Sequence, residues 1–75
     1  MLTGSSRKFW CIRVENGKEM CGSDNNLLFD LKTVQGVKNR MTRNAIRLKK
    51  GQWHIYSYTN AYDKNTWVLK DTILL

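Results

Sequence analysis

The chain is 75 residues long, 41% hydrophobic and 11% aromatic, with a formal net charge of +7, two cysteines and no proline. That length fits one domain, which buries only about 60% of the surface its unfolded chain exposes, and the aromatic content excludes a disordered basic tail. Cys11, Cys21 and the lone His54 do not complete a zinc set, no apolar run nears the roughly 20 residues of a membrane span, and the opening MLTGSSRKFW lacks a signal-peptide core.

These exclusions point to a cytoplasmic protein with reduced thiols and no cofactor. Residues 1–6 read as a flexible lead and 7–75 as the domain. From Arg7 to Glu15, RKFWCIRVE alternates, with Trp10, Ile12 and Val14 on one side and Phe9, Cys11 and Arg13 on the other, which predicts a strand. Asn16-Gly17 tolerates the positive φ of a type I′ turn, so Lys18 to Cys21 should return as a second strand. Counted outward, Val14 then faces Glu19, Arg13 faces Met20 and Ile12 faces Cys21. Cys11 and Cys21 are diagonal in that register, a poor geometry for a disulfide, and two free thiols are expected.

GSDNN is loop chemistry, and Leu27-Leu28-Phe29 reads as an apolar knot plugging the core edge, without a clear secondary structure. Either Asp30 or Thr33 can cap a following helix, and with Thr33 as the cap the helix is expected over about Val34 to Leu48. On a helical wheel Val34, Val37, Met41, Ala45 and Leu48 form one stripe, and Arg40, Arg43, Arg47 and Lys50 the opposite one. Gly36 inside it calls for close packing or a later helix start, and Gly51 supplies the stop. GQWHIYSYTN then predicts a strand with Trp53, Ile55 and Ser57 on one face and His54, Tyr56 and Tyr58 on the other. A turn-rich connection leads to TWVLKDTILL, a last strand with Trp67, Leu69, Asp71 and Ile73 together. The expected fold is α+β: a β-hairpin, one amphipathic helix and a second β-hairpin (ββαββ), with the helix on one face of an antiparallel sheet.

The charge is concentrated in one stretch. Between Asp30 and Asp63 there is no acidic residue, yet Lys32, Lys38, Arg40, Arg43, Arg47, Lys49 and Lys50 fall there, while elsewhere cations and carboxylates balance. Such a field favours a polyanion; a cationic face kept for solubility is the plain alternative. With the helix packed on Trp10, Ile12, Val14, Trp53, Ile55, Trp67 and Leu69, the open face would show Phe9, Arg13, His54, Tyr56, Tyr58 and Lys70, with Arg7 at its margin. Aromatics interleaved with cations make a stacking platform for unpaired bases, although the same face suits a homodimer interface.

Arg40, Arg43, Arg47 and Lys50, flanked by Lys38 and Lys49, would hold phosphates, arginine doing so bidentately. Asn39 and Asn44 are candidates for sugar or base-edge hydrogen bonds. Nothing suggests an enzyme: there is no phosphate loop, nucleophile elbow or paired-carboxylate spacing, and a single strand-borne histidine makes a poor general base. The leading expectation is a basic domain binding RNA or single-stranded nucleic acid. The alternative is an inhibitor or adaptor, of the kind phages and mobile elements encode, that docks its cationic face on an acidic protein site.

Overall fold

The computed structural model describes residues 7–60 and 62–75; the expected lead over residues 1–6 lies outside them. The chain runs β1 (Arg7–Glu15), β2 (Lys18–Glu19), β3 (Asn26–Leu31), α1 (Val34–Arg43), β4 (Gln52–Tyr58) and β5 (Val68–Leu74), with short 3-10 turns at Ser23–Asn25, Ala45–Arg47 and Lys64–Thr66. The result is a small α+β domain in which one helix covers one face of an antiparallel sheet. None of the described helices is long and apolar enough to cross a membrane.

The first turn forms as its residues dictate. Asn16 at φ 53° and Gly17 at φ 77° make the primed turn, setting Glu15 opposite Lys18 and Val14 opposite Glu19. The expected facing of Ile12 and Cys21 does not occur. The chain leaves the ladder after Met20, whose N–H donates to the Arg13 carbonyl at 2.9 Å, and rejoins the same edge of β1 with Asn26 opposite Ile12 and Leu31 opposite Arg7. The apolar knot is therefore a strand, β3, which continues the line of β2 after a looped-out excursion.

Asparagines hold that excursion. The Asn25 amide donates to the Cys21 carbonyl and the Asn26 amide to the Gly22 carbonyl, each at 2.7 Å. Arg13 Nε donates to Asn25 Oδ1 at 2.7 Å, and both side chains are buried. A charge taken from water in this way persists because its donors are matched: Arg13 Nη1 also reaches Glu15 Oε1 and the Lys50 carbonyl, each at 3.4 Å.

The core joins Phe9, Cys11, Trp53 and Ile55 of the sheet to Val37 and Met41 of α1, rimmed by Leu27, Phe29, Leu31, Val34, Leu48 and Ile73. This corrects the expected faces. Trp53 and Ile55 do point inward, but Cys11 is paired with Ile55 and Phe9 with Ser57, so Phe9, Cys11 and Arg13 share the helix side. Trp10, Ile12 and Val14 lie on the other face. The two cysteines are free, Cys11 buried and Cys21 exposed, and burial pushes the Cys11 thiol up to about 12.

Thr33 caps α1 as its position suggests, its Oγ1 accepting from the Gly36 N–H at 3.0 Å. A Cβ at Gly36 would sit 3.1 Å from that oxygen, so glycine answers to close packing. The helix ends at Arg43, earlier than Leu48: the Asn44 amide bonds the Arg40 carbonyl at 2.8 Å and a 3-10 turn follows. Ile46 is thereby turned out to solvent, 89% exposed, while Leu48 returns to the core rim.

Met41 is fully buried against the sheet. Truncation to alanine should cost about 3 kcal/mol through lost contact and the cavity left behind, whereas Ile46→Ala should change stability by less than about 0.5 kcal/mol; urea denaturation of both variants checks this.

Candidate functional site

Two surfaces stand out, on opposite sides of the sheet. The first is the face turned away from α1. A register shift between β4 and β5 builds it: Asp71 opposes Ile55 but Leu69 opposes Tyr56, leaving Lys70 as the extra residue of a bulge. The bulge reverses the alternation of β5. Asp71 and Ile73 stay on the helix side, and Leu69 and the preceding Trp67 swing to the other, which corrects the expectation that all four share one face.

Trp67 becomes the hub of that open face. Its ring centroid lies 6.0 Å from Trp10, 5.7 Å from Tyr56 and 6.0 Å from Tyr58, at tilts of 44°, 50° and 33°. All three separations lie within the range of about 4.5–7 Å for interacting aromatic pairs. His54 meets Tyr56 edge-on at 6.1 Å, and Lys64 Nζ lies 5.7 Å from the Trp67 centroid, within cation–π range. The indole N–H groups are satisfied, Trp10 by Asn26 Oδ1 at 3.2 Å and Trp67 by the Asn60 carbonyl at 3.3 Å, so both rings are fixed in orientation.

A carboxylate closes one end of the cluster. Glu19 Oε2 accepts from the Tyr56 hydroxyl at 2.5 Å and lies 3.2 Å from His54 Nδ1. The Tyr56 bond, assisted by His54, holds the Glu19 carboxyl below its ordinary value. In return, Tyr56 is pushed up to about 12, first by partial burial and then by the Glu19 bond and charge. Tyr58 is raised as well, by burial and by the charge of Asp30.

The expected stacking residues thus divide. Tyr56, Tyr58 and His54 lie on the open face, half-buried. Phe9 does not, because it is 2% exposed in the core, and Arg13 does not, because it is 8% exposed and engaged by Asn25. Lys70 is exposed on the bulge at the sheet edge. For Arg7, at the expected margin, only the strand backbone is described. Trp10, Trp67, Lys64 and Glu19 were not foreseen. Strand alternation alone predicts Trp10 and Trp67 inward, and only the bulge, which has no local signal in VLKDT, moves Trp67 out.

The second surface is cationic. Arg40 and Arg43 sit in the last turn of α1, Arg47 on the following 3-10 turn, and Lys49 and Lys50 beyond it, all exposed. The break at Asn44 means that the cations do not form one row on one helix. Lys38 is committed elsewhere, its Nζ 3.0 Å from Asp71 Oδ2, clasping α1 to β5 and lowering the Asp71 carboxyl. Among the described residues no carboxylate pairs with Arg40, Arg43, Arg47, Lys49 or Lys50. Asn39 and Asn44 are occupied locally, Asn39 by Gln35 and Asn44 by Arg40. A groove of about 430 Å³ opens beside Arg47 and Lys49, with Ser23 and Asp24 on its other wall.

Compared with protein-family models, curated proteins and solved structures, the chain matches none, so its functional reading rests on its own residues.

Because the folded state holds Glu19 below its ordinary value of 4.5, the stability it contributes is present above that pH and lost as pH falls through the folded value. Wild-type protein should therefore lose its advantage over Glu19→Gln between roughly pH 6 and pH 3. Urea midpoints of the two proteins at each end of that range measure it, and a constant difference would contradict the Tyr56–Glu19 linkage.

Proposed function

We propose that this chain is a nucleic-acid-binding module, not an enzyme, and that it takes an unpaired strand, RNA or single-stranded DNA. The observation that carries the reading is the cluster of exposed cations without carboxylate partners, Arg40, Arg43, Arg47, Lys49 and Lys50, at the end of α1. Charges left unneutralised at close quarters repel one another, and a row of phosphates relieves that repulsion while releasing its condensed counterions. Guanidinium groups grip phosphate oxygens in pairs. Binding of this type follows charge and backbone shape, with little dependence on base sequence.

The preference for an unpaired strand comes from the other side of the sheet. Trp10, Trp67, Tyr56 and Tyr58 offer π surfaces that bases reach only when they are not paired. A duplex buries its base faces and would engage the cationic surface alone.

One observation favours a second reading. Ile46, 89% exposed, stands between Arg43 and Arg47. An aliphatic side chain gains nothing from phosphates, but it would fill an apolar socket rimmed by carboxylates. An inhibitor or adaptor docking on an acidic protein site would use it as the anchor of its interface.

Replacing Arg40, Arg43 and Arg47 together by glutamine should leave the fold intact and reduce the salt dependence of single-strand binding, by about 0.7 in the log–log slope for each lost phosphate contact. Fluorescence anisotropy against labelled single-stranded RNA, single-stranded DNA and duplex at several salt concentrations reads this. An unchanged slope removes the arginines from the interface. Failure of wild-type protein to bind any strand near physiological salt, with Ile46→Asp abolishing capture of an acidic protein partner, moves the assignment to the second reading.

A further inference from the structure

The open face has a relief that its aromatic content alone does not convey. Trp10 and Trp67 stand as a ridge between two grooves. One, of about 480 Å³, is completed by Leu28, Tyr58 and Tyr62. The other, of about 290 Å³, is completed by Ile12, Glu19, Met20, Cys21 and Asn26. Lys64 lines both, as do the two tryptophans. Both grooves lie near the size of small-ligand sites, about 300–1,000 Å³.

The polar equipment of the smaller groove is one-sided. The Asn26 side chain is already used, Oδ1 by Trp10 and Nδ2 by the Gly22 carbonyl. Among the described residues the hydrogen bonds to Glu19 fall on Oε2, from Tyr56 and His54. Its Oε1 remains available as an acceptor. Tyr56 keeps this carboxyl ionised and fixes its orientation, so the groove offers a ring surface and a negative acceptor, which suits a planar group carrying N–H donors. The ammonium of Lys64 lies over the ridge and suits an anion there.

The geometry points to a two-base footprint: consecutive unpaired bases occupy the two grooves on either side of the Trp10–Trp67 ridge, Lys64 holds the phosphate between them, and Glu19 Oε1 accepts from the exocyclic amine of the base in the smaller groove. This rests on the nucleic-acid reading above and adds base preference to it. Adenine, cytosine and guanine carry such an amine, whereas unpaired uracil and thymine offer only an N3–H flanked by two carbonyls that the carboxylate repels, which makes them the poorer partners. The base in the larger groove meets only rings, leucine and the Lys64 stem, so it is stacked without being read.

Tryptophan emission provides the test, since Trp53 is fully buried and bonded to the Lys49 carbonyl, leaving Trp10 and Trp67 to respond to a bound base. The protein is titrated with oligoadenylate, oligouridylate and an abasic strand of equal length, and anisotropy is followed in parallel. The expected result is quenching by oligoadenylate, binding several-fold weaker for oligouridylate, loss of that preference in Glu19→Gln, and affinity about tenfold or more lower in Trp67→Leu. Deoxy strands in the same series show whether the sugar matters. If oligoadenylate and the abasic strand bind alike without quenching, the footprint is overturned while the charge-based reading stands. If no strand binds, both fall. Emission that shifts with protein concentration alone, with no response to nucleotide, overturns the footprint in favour of a second copy on this face.

Discussion

The pairing of β1 with β4, which sets Cys11 opposite Ile55, is the constraint on which the other faces of the molecule depend. Side chains alternate along a strand, so a slip of one residue would exchange every inward group for an outward one. With Ile55 and Trp53 turned toward α1, Phe9 and Cys11 must follow, and Trp10, Ile12 and Val14 must turn away. Arg13 is carried inward with Phe9 and Cys11, and the molecule accommodates it by looping out Met20–Asn25, whose Asn25 accepts from the guanidinium. That excursion interrupts the first hairpin and allows β3 to occupy the remaining edge of β1. Leu27, Phe29 and Leu31 of β3 then help wall the core under α1.

A second departure from regularity creates the candidate site. Without the bulge at Lys70, the alternation set by Ile73 and Asp71 would continue through Leu69 and Trp67, and a tryptophan would be forced under the helix. The bulge instead delivers Trp67 to the face where Trp10, Tyr56 and Tyr58 already stand. Bulges re-aim side chains in this way at sheet edges. The local ladder is weakened there, and the Lys38–Asp71 pair, on the helix side of the same strand, fastens β5 to α1 immediately beside it.

Legibility in the sequence followed the range of each signal. Asn16-Gly17 and Thr33 act within three residues, and both form as their chemistry dictates. The inward turn of Trp53 and Ile55 is also readable, since His54 and the tyrosines leave the other face plainly wetter. In RKFWCIRVE both faces carry apolar groups, and the arginine that should mark the wet side is buried by a partner twelve residues away, so the correct face was hidden. Leu28, 52% exposed on the open face, masked the alternation that would have identified β3. The apolar period runs on to Leu48 because the 3-10 turn after Asn44 returns Leu48 to the core rim after the helix has stopped. The cations from Arg40 to Lys50 are exposed as their charge requires, whatever backbone carries them.

The exposed cations and the aromatic cluster lie on opposite sides of one sheet. The described residues span 19 Å along their shortest axis, more than twice the Debye length of about 8 Å at physiological ionic strength. The field of Arg40, Arg43, Arg47, Lys49 and Lys50 is therefore largely screened at the aromatic face, where the local charges are Lys8 and Lys64 against Glu19 and Asp30. Attraction of a polyanion to one side does little to hold a base on the other. On the proposed reading a single strand would satisfy both only by passing around a sheet edge, where Lys18 on β2 and Lys70 on the β5 bulge are exposed cations. On the proposed reading, a strand too short to wrap would meet two separate surfaces with different demands: one sensitive to salt and indifferent to bases, the other sensitive to bases and only weakly to salt. Under that reading the division would give the arginines and the tryptophans separable contributions to binding, which a single mixed interface would not.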